Sequence, residues 1–293
     1  MPIDADRLLN FPIPAVRQQV TPRDAAFYAL SVGLGHDPLD PAQLPFVDPL
    51  AGPVPMPSMA LVLAHPGFWL GHPDSGVDPL AVLHGGQSLM LFAPIPVDGK
   101  VASSTRITGL IDKGPGKAAL IITQTELVDA AGACFARLDR TTFIRNGGGF
   151  GGDDAASPPV PPPLPPPAPD GEPDGVIDLP TLPQQALYYR LNGDLNPLHS
   201  DPQVAAKAGF DQPILHGLCI MGVITHALLR QLDYRTDRLQ SVSLRFAAPV
   251  MPGETIRTEI WANGAFRARV AERGTVVADQ GYFTTLAMDR RAI

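Results

Sequence analysis

Cysteine, charge and long apolar runs are all scarce in this chain, and each shortage excludes a class of protein. Cys134 and Cys219 are the only cysteines among 293 residues, which excludes a disulfide framework and favours a reducing compartment. No apolar run approaches the ~20 residues that span a bilayer, and the N-terminus has no basic-then-apolar signal region. Because the final residues, MDRRAI, are not a peroxisomal address either, we expect a cytoplasmic protein with no membrane partner.

Charge and missing motifs narrow the function further. Charged residues make up 17% of the chain, against the usual ~25%, and the formal net charge is −7. The absence of an extended basic run argues against a nucleic-acid partner, although a local pocket could still hold an anionic small molecule. There is no HxxH or HxxxH pair and no GxSxG, so neither a zinc site nor a serine hydrolase is expected.

Proline, in contrast, is abundant and concentrated in one segment. The chain has 34 prolines, and nine of the twelve residues from Pro158 to Pro169 are proline. Such a run can neither pair in a sheet nor continue a helix, which predicts a polyproline II spacer. We therefore divide the chain into two halves, residues 1–150 and 177–293, joined by a linker at residues 151–176. Recognition of a PxxP motif by a partner domain is the alternative role for this segment.

The two halves share weak internal similarity. LHG at 83–85 matches LHG at 215–217, and FA at 92–93 matches FA at 246–247. The two matches are offset by 132 and 154 residues, so the second half holds 22 more residues between them. Residues 217–231 are apolar, lack proline and repeat at helical spacing, which predicts a buried helix that the first half has largely lost.

Segments with strand-like alternation accompany this helix in both halves. The predicted strands are Val101–Ile107, Ala118–Leu127 and Cys134–Ile144 in the first half, and Val242–Phe246, Thr255–Trp261, Phe266–Ala271 and Thr275–Leu286 in the second. A buried helix against an antiparallel sheet predicts an α+β fold.

The stretch from Tyr188 to Gly217 carries the candidate chemistry. Two prolines in it prevent a long helix through Asp194 and His199, so a turn is expected to aim both side chains into one pocket. Gly217 then begins the long helix. An aspartate–histidine pair beside an unpaired helix N–H provides an acid/base couple and a donor for an oxyanion. On composition alone, a turn cap, a hydrogen-bonded loop histidine and a packing glycine are the alternatives.

This stretch resembles the hydratase 2 motif of the MaoC-like hot-dog proteins, the (R)-specific 2-enoyl-CoA hydratases. The motif is GDLNPLHSDP at 193–202 followed by AGFDQPILHGLC at 208–219. The resemblance covers nearly the whole chain, because further family motifs follow in the family's order. They are YAL at 28–30, VG at 32–33, LHGGQ at 83–87, DKGPG at 112–116, GGFGG at 148–152, RFAAPV at 245–250 and PGE at 252–254.

The resemblance implies a double hot-dog fold, in which each half is a curved antiparallel sheet around a helix and the second half is catalytic. It implies reversible hydration of trans-2-enoyl-CoA to (3R)-3-hydroxyacyl-CoA, with no metal or redox cofactor. A homodimer is implied by the family alone. The implied catalytic groups are Asp194, His199 and the backbone N–H of Gly217, which would hold the thioester oxygen. The residues implied to contact the acyl-CoA are Asn196, His84, Gly85, Lys113 and Phe246.

Several of these roles have structural alternatives. Lys113 could be a solvated lysine, whereas His84 and Phe246 could be core residues. Arg190 and Arg245 are further candidates for pairing with carboxylates or phosphates. The sequence departs from the family at two positions: Leu195 replaces a frequent aromatic residue, and Gly86 replaces a frequent glutamate.

The sequence leaves three other functions open: an acyl-CoA thioesterase, a non-catalytic acyl-CoA-binding module, and a dehydratase specialised for branched or dicarboxylic acyl-CoA. Because the first half is expected to lack most of its helix, we predict an apolar cavity between the halves. This cavity would lead to Asp194 and His199 and accept medium to long acyl chains.

Overall fold

The computed structural model describes residues 2–50, 52–151 and 167–286. Much of the predicted linker, including residues 158–166, lies outside these ranges. The polyproline II spacer and the division at residues 151–176 therefore stay predictions. Within the described ranges, no helix has the length and apolar character needed to cross a bilayer.

In the described residues, ten strands build one antiparallel sheet. They are β1 (Val16–Val20), β2 (Val82–Leu91), β3 (Gly99–Asp112), β4 (Ala119–Val128), β5 (Cys134–Ile144), β6 (Gly175–Pro180), β7 (Leu239–Phe246), β8 (Thr255–Ile260), β9 (Ala265–Val270) and β10 (Val276–Thr285). Their order is β1-β3-β4-β5-β2-β7-β10-β9-β8-β6. Read from each edge to the centre, the two halves repeat the same order, so the fold is the α+β double hot-dog that was predicted.

The two half-sheets are continuous, as expected, because β2 pairs with β7 at the centre. Gly86 lies opposite Arg245 and Met90 lies opposite Ser241 in this pairing. β2 also pairs with β5 on its other side. The junction between the halves is therefore an ordinary pair of neighbouring strands rather than a contact between separate sheets.

The part of the chain that the structure describes has six α-helices beside the sheet: α1 (Ala5–Leu9), α2 (Pro22–Ser31), α3 (Leu44–Val47), α4 (Gln185–Tyr189), α5 (Pro202–Lys207) and α6 (Gly217–Gln231). The bounds of α6 are those predicted. Every residue from Leu218 to Leu229 is buried, because strands of the second half pack on one side of α6 and the 3-10 turn Pro57–Leu61 of the first half packs on another. A side chain at Gly222 would overlap Val32, so this glycine lets α6 lie close against the end of α2.

The LHG match between the halves is wrong as a structural correspondence. His84 lies within β2, whereas His216 directly precedes α6. The connections before β2 and β7, residues 21–81 and 181–238, have similar lengths, so no segment is missing from the first half. Ten prolines between Pro38 and Pro79 prevent a long helix there, and short 3-10 turns replace it.

The FA match does correspond to the structure. Phe246 ends β7, and Phe92 directly follows its counterpart β2. The two halves are therefore related through their strands, whereas the segments that cover those strands differ in content.

Candidate active site

Asp194 and His199 lie on the turn between α4 and α5, as predicted. Asn196 begins a single 3-10 turn, Pro197–His199, and its side-chain oxygen accepts a hydrogen bond from the N–H of Leu198 at 3.0 Å. The Asp194 carboxylate is exposed and accepts from the N–H of Asn196 at 3.2 Å. The His199 side chain is buried, with 8% of the residue exposed. The turn thus presents an accessible carboxylate beside a buried imidazole.

The hydrogen bond of His199 determines which of its nitrogens is basic. Nδ1 lies 2.8 Å from the carbonyl oxygen of Ile214, an acceptor, so Nδ1 carries the proton and donates it. Burial lowers the pKa of His199, and the Ile214 carbonyl and the Asp194 carboxylate oppose this effect only in part. The ring is therefore neutral at pH 7, and its Nε2 can accept a proton.

The structure adds His216, a residue to which the sequence motif assigned no role. Its ring stacks on that of His199 with a centroid distance of 3.7 Å. Its Nε2 lies 3.2 Å from the backbone carbonyl oxygen of Asp194 and donates to it. Burial, followed by the neighbouring His199, lowers the pKa of His216 to about 4. The sequence contained one signal for His216: this residue directly precedes Gly217, so it lies at the start of the predicted helix.

One nitrogen of each histidine and one carboxylate oxygen of Asp194 lie within 4.8 Å of one another. A single water molecule placed among three such atoms can lie about 2.8 Å from each, an ordinary hydrogen-bond distance. Three ligands of these types could also surround a metal ion. However, the two rings are tilted by only 28°, so their in-plane lone pairs run side by side instead of converging. This arrangement suits a hydrogen-bonded water better than a coordinated ion.

Gly217, Phe246 and His84 meet at the junction between the halves. Gly217 is the first residue of α6, so its N–H has no partner within the helix. The Phe246 ring packs against the Cα of Gly217, because a Cβ at Gly217 would lie 3.3 Å from Cζ of Phe246. His84 meets the same ring edge-on at a centroid distance of 4.7 Å. An apolar wall and an unpaired N–H thus lie next to the histidine pair.

Two glycines of β2 fit close backbone contacts at this junction. A Cβ at Gly85 would lie 3.3 Å from the carbonyl oxygen of Thr141, and a Cβ at Gly86 would lie 3.1 Å from that of Leu244. Position 86, where the family often has glutamate, is a glycine at a point where β2 lies close to β7. Leu195, the other departure, is exposed, and its carbonyl accepts from Arg190 at 3.3 Å.

Lys113 lies away from the strand that carries His84. It follows β3 in the exposed loop that leads to β4. Since β4 and β5 lie between β3 and β2, this loop is roughly 14 Å across the sheet from the strand that carries His84. Arg245 also lies apart, because it forms an ion pair with Asp279 on the neighbouring strand β10. Lys113 could therefore reach only a part of a long substrate that lies far from His84.

A small cavity of about 60 Å³ lies on the first half of the sheet. Its lining includes Leu218, the residue that follows Gly217, but neither Asp194 nor His199. The lining is more polar than the predicted apolar tunnel: it contains His65, Arg140 and four threonines. Arg140 was not among the predicted site residues, since β5 also contains Arg137 and its alternation does not distinguish the two.

Comparisons with known proteins agree on one family. The family model described as MaoC like domain matches residues 166–282, and that of the MFE-2 hydratase 2 N-terminal domain matches residues 18–146. The enoyl-CoA hydratase ChsH3 of Mycobacterium tuberculosis is 38% identical over 279 residues, which are 90% of this chain and 91% of that protein. The similarity therefore extends over both halves.

Solved structures support the same grouping. The crystal structure of a MaoC-like dehydratase from Phytophthora capsici has a TM-score of 0.83 and 33% identity, covering 98% of this chain and 100% of that one. A Mycobacterium tuberculosis protein with a double hotdog fold has a TM-score of 0.57 at 16% identity over 94% of each chain, which shows the fold alone.

Proposed function

The chain belongs to the MaoC-like hydratase 2 family and is a hydro-lyase of the enoyl-CoA hydratase type, and on that premise we propose its site residues, stereochemistry and substrates. The proposed reaction is reversible hydration of trans-2-enoyl-CoA to (3R)-3-hydroxyacyl-CoA, with Asp194 and His199 as the acid/base pair. The observation that carries this proposal is a cluster of three polar atoms beside the N–H of Gly217. One carboxylate oxygen of Asp194 and one ring nitrogen each of His199 and His216 lie within 4.8 Å of one another.

The reaction places three demands on a site. The oxygen of water bonds to C3, a proton is added to C2, and negative charge moves onto the thioester oxygen as the water attacks. The site must therefore supply a base for the water, an acid for C2 and a hydrogen-bond donor for that oxygen.

His199 suits the role of base, because its Nε2 is free and burial keeps the ring neutral. Asp194 can orient the same water through its exposed carboxylate and help to return the proton to C2. Gly217 can donate its N–H to the thioester oxygen, since no helix carbonyl accepts from it. His216 acts as a positioning residue: it donates to the Asp194 carbonyl and stacks on His199.

We propose that Lys113 binds a phosphate of CoA as a point charge, that Phe246 and His84 contact the acyl thioester, and that Asn196 fixes the catalytic turn through its cap. Medium to long acyl chains are the proposed substrates. Neither a metal nor a redox cofactor takes part, so treatment with a chelator should leave turnover unchanged. A cytoplasmic location and a homodimer belong to the same proposal.

The test is hydration of trans-2-enoyl-CoA of increasing length by the purified protein, followed as loss of the conjugated thioester absorbance. Chiral chromatography of the product then reports the configuration at C3. A thioesterase would instead release free CoA thiol, which a thiol-reactive dye detects. Binding of acyl-CoA without turnover at any length would identify a non-catalytic module and refute the proposal.

A further inference from the structure

The inner faces of the two half-sheets differ in polarity. In the second half this face is apolar apart from Thr258 and packs in the core with α6. Its buried residues there include Ile256, Ile260, Phe266, Ala268 and Val270. In the first half the middle of the sheet carries a polar band that lines the cavity of about 60 Å³. The band consists of Gln87, Thr105, Thr123, Thr125, Arg140 and Thr142.

Apolar residues enclose this band at both ends. Leu127 belongs to the main core, and Ile121 and Ile144 belong to a second buried apolar cluster. All three lie on the same two strands as the band, β4 and β5. The polar side chains are therefore inside the protein, where they need hydrogen-bond partners.

Arg140 is the charged member of the band and lacks a partner. Its Nε is buried without a hydrogen bond, and it forms no ion pair in the part of the chain that the structure describes. The opposite charge that acts on Arg140 is the Asp194 carboxylate. It raises the pKa of Arg140, but burial lowers the same pKa by more. Arg140 is partly buried, and a guanidinium shielded from water without a carboxylate contact is unfavourable, unless a ligand supplies the anion.

His65 lines the same cavity, and His84 lies near enough to Arg140 and His65 for both to influence its pKa, without lining the cavity. Nδ1 of His65 accepts from the N–H of Gly67 at 3.0 Å, so in the neutral ring Nε2 carries the proton and can donate it. Nε2 of His84 is buried and has no partner. The Arg140 guanidinium and the His65 Nε2 thus offer donors to this cavity, and an anionic oxygen of a ligand could accept from both.

We propose that Arg140 and this polar band bind a carboxylate at the far end of the acyl group, so that the favoured substrates are ω-carboxy-trans-2-enoyl-CoA thioesters. The inference rests on the proposed function, because it names the substrate class of the same site. Leu218 links the two regions, since it lines the cavity and follows Gly217. A cavity of about 60 Å³ has room for a terminal group of a few heavy atoms.

The test compares substrates of equal length that end in a carboxylate or a methyl group. We would measure kcat/KM for trans-2-octenedioyl-CoA and trans-2-octenoyl-CoA with the wild type and with Arg140→Gln, Arg140→Lys and Arg137→Gln. For the wild type we expect a higher kcat/KM with trans-2-octenedioyl-CoA than with trans-2-octenoyl-CoA. Arg140→Gln lowers the ratio of these two kcat/KM values by about 30-fold or more. Arg140→Lys restores part of it. Arg137→Gln, on the opposite face of β5, leaves the ratio unchanged.

Binding of unreactive ligands separates this inference from the hydratase proposal. Suberoyl-CoA and octanoyl-CoA are saturated and cannot be hydrated, so calorimetric titration reports recognition alone. At least about tenfold tighter binding of suberoyl-CoA by the wild type, lost in Arg140→Gln, supports the carboxylate site even if no enoyl-CoA is turned over. Equal affinities overturn it, even if both enoyl-CoA thioesters are hydrated. An equal loss of kcat/KM for both substrates in Arg140→Gln also overturns it, since Arg140 would then act through Asp194.

Discussion

His216 and Asp194, 22 positions apart in the chain, are joined by a hydrogen bond from the imidazole Nε2 to the backbone carbonyl. His216 directly precedes the first residue of α6, and Asp194 begins the turn that leads to His199. The bond therefore fixes the helix start and the catalytic turn relative to each other. If the turn moved relative to the start of α6, the distance between the proposed acid/base pair and the N–H of Gly217 would change as well.

Removal of either member of the acid/base pair should abolish most of the activity. We expect Asp194→Asn and His199→Gln each to lower kcat by about 10²–10⁴-fold, the usual contribution of a positioned acid or base. The measurement is steady-state hydration of trans-2-octenoyl-CoA. The matched controls Asp211→Asn and His36→Gln change exposed residues outside the site and should keep wild-type turnover. Unchanged kcat in both site variants would contradict the assignment.

A methyl group at Gly217 should disturb the donor for the thioester oxygen. The new Cβ would lie 3.3 Å from the Phe246 ring, so either the ring or the start of α6 must shift. A displacement of about 1 Å can cost ~10²-fold in rate, so we expect Gly217→Ala to lower kcat by at least about tenfold. Adding Phe246→Leu to this variant makes room for the methyl group and should restore part of kcat. Failure of the double variant to recover would show that contact with Phe246 is not the cause.

Loss of the positive charge at position 113 should weaken CoA binding without affecting the chemical step. Lys113→Ala is expected to raise KM by about tenfold at low salt and to leave kcat unchanged. The effect should shrink as salt is added, because the contact is exposed and screened. Lys117→Ala, in the same loop, is the control. If both lysine variants change KM equally, the loop attracts CoA by its general charge and Lys113 has no specific contact.

Acid should destabilise the protein over a defined pH range. Burial lowers the pKa of His226 and of His216 to about 4, against ~6.5 in an unfolded chain. Between these values the unfolded chain binds more protons, so the free energy of unfolding decreases as the pH falls from about 6.5 to about 4. Denaturant titrations at pH 7 and pH 4.5 measure this loss. His226→Asn should lose less stability over the range than the wild type does, and an identical loss would contradict the role of His226.

The sequence predicted the second half better than the first. The bounds of α6 were correct, because an apolar run of 15 residues with helical spacing and no proline is too long for a typical strand. β2 was missed, since its two adjacent glycines have low strand propensity and it is held by β5 and β7 from distant parts of the chain. The reduced helix of the first half was predicted correctly. The 22-residue deletion inferred for it was wrong, because it rested on a tripeptide match that the strand pairing does not support.

The site shows the same division between local and distant information. Asp194 and His199 were predicted together because a short motif with two prolines contains both. Arg140 could not be predicted, although its strand was, because no local pattern says which face of β5 meets a cavity. The contact between His84 and Phe246 also depends on two strands that are far apart in sequence.

The pairing of β2 with β7 makes the half that carries Asp194 and His199 depend on its neighbour for one strand partner. A fragment of residues 177–293 would leave the Ser241–Arg245 edge of β7 unpaired on that side and would remove His84 from the Phe246 ring. Such a free strand edge is a template for association with another copy of the fragment. The two halves should therefore melt in a single cooperative transition, with the half that lacks the acid/base pair acting as an intramolecular cap for the half that carries it.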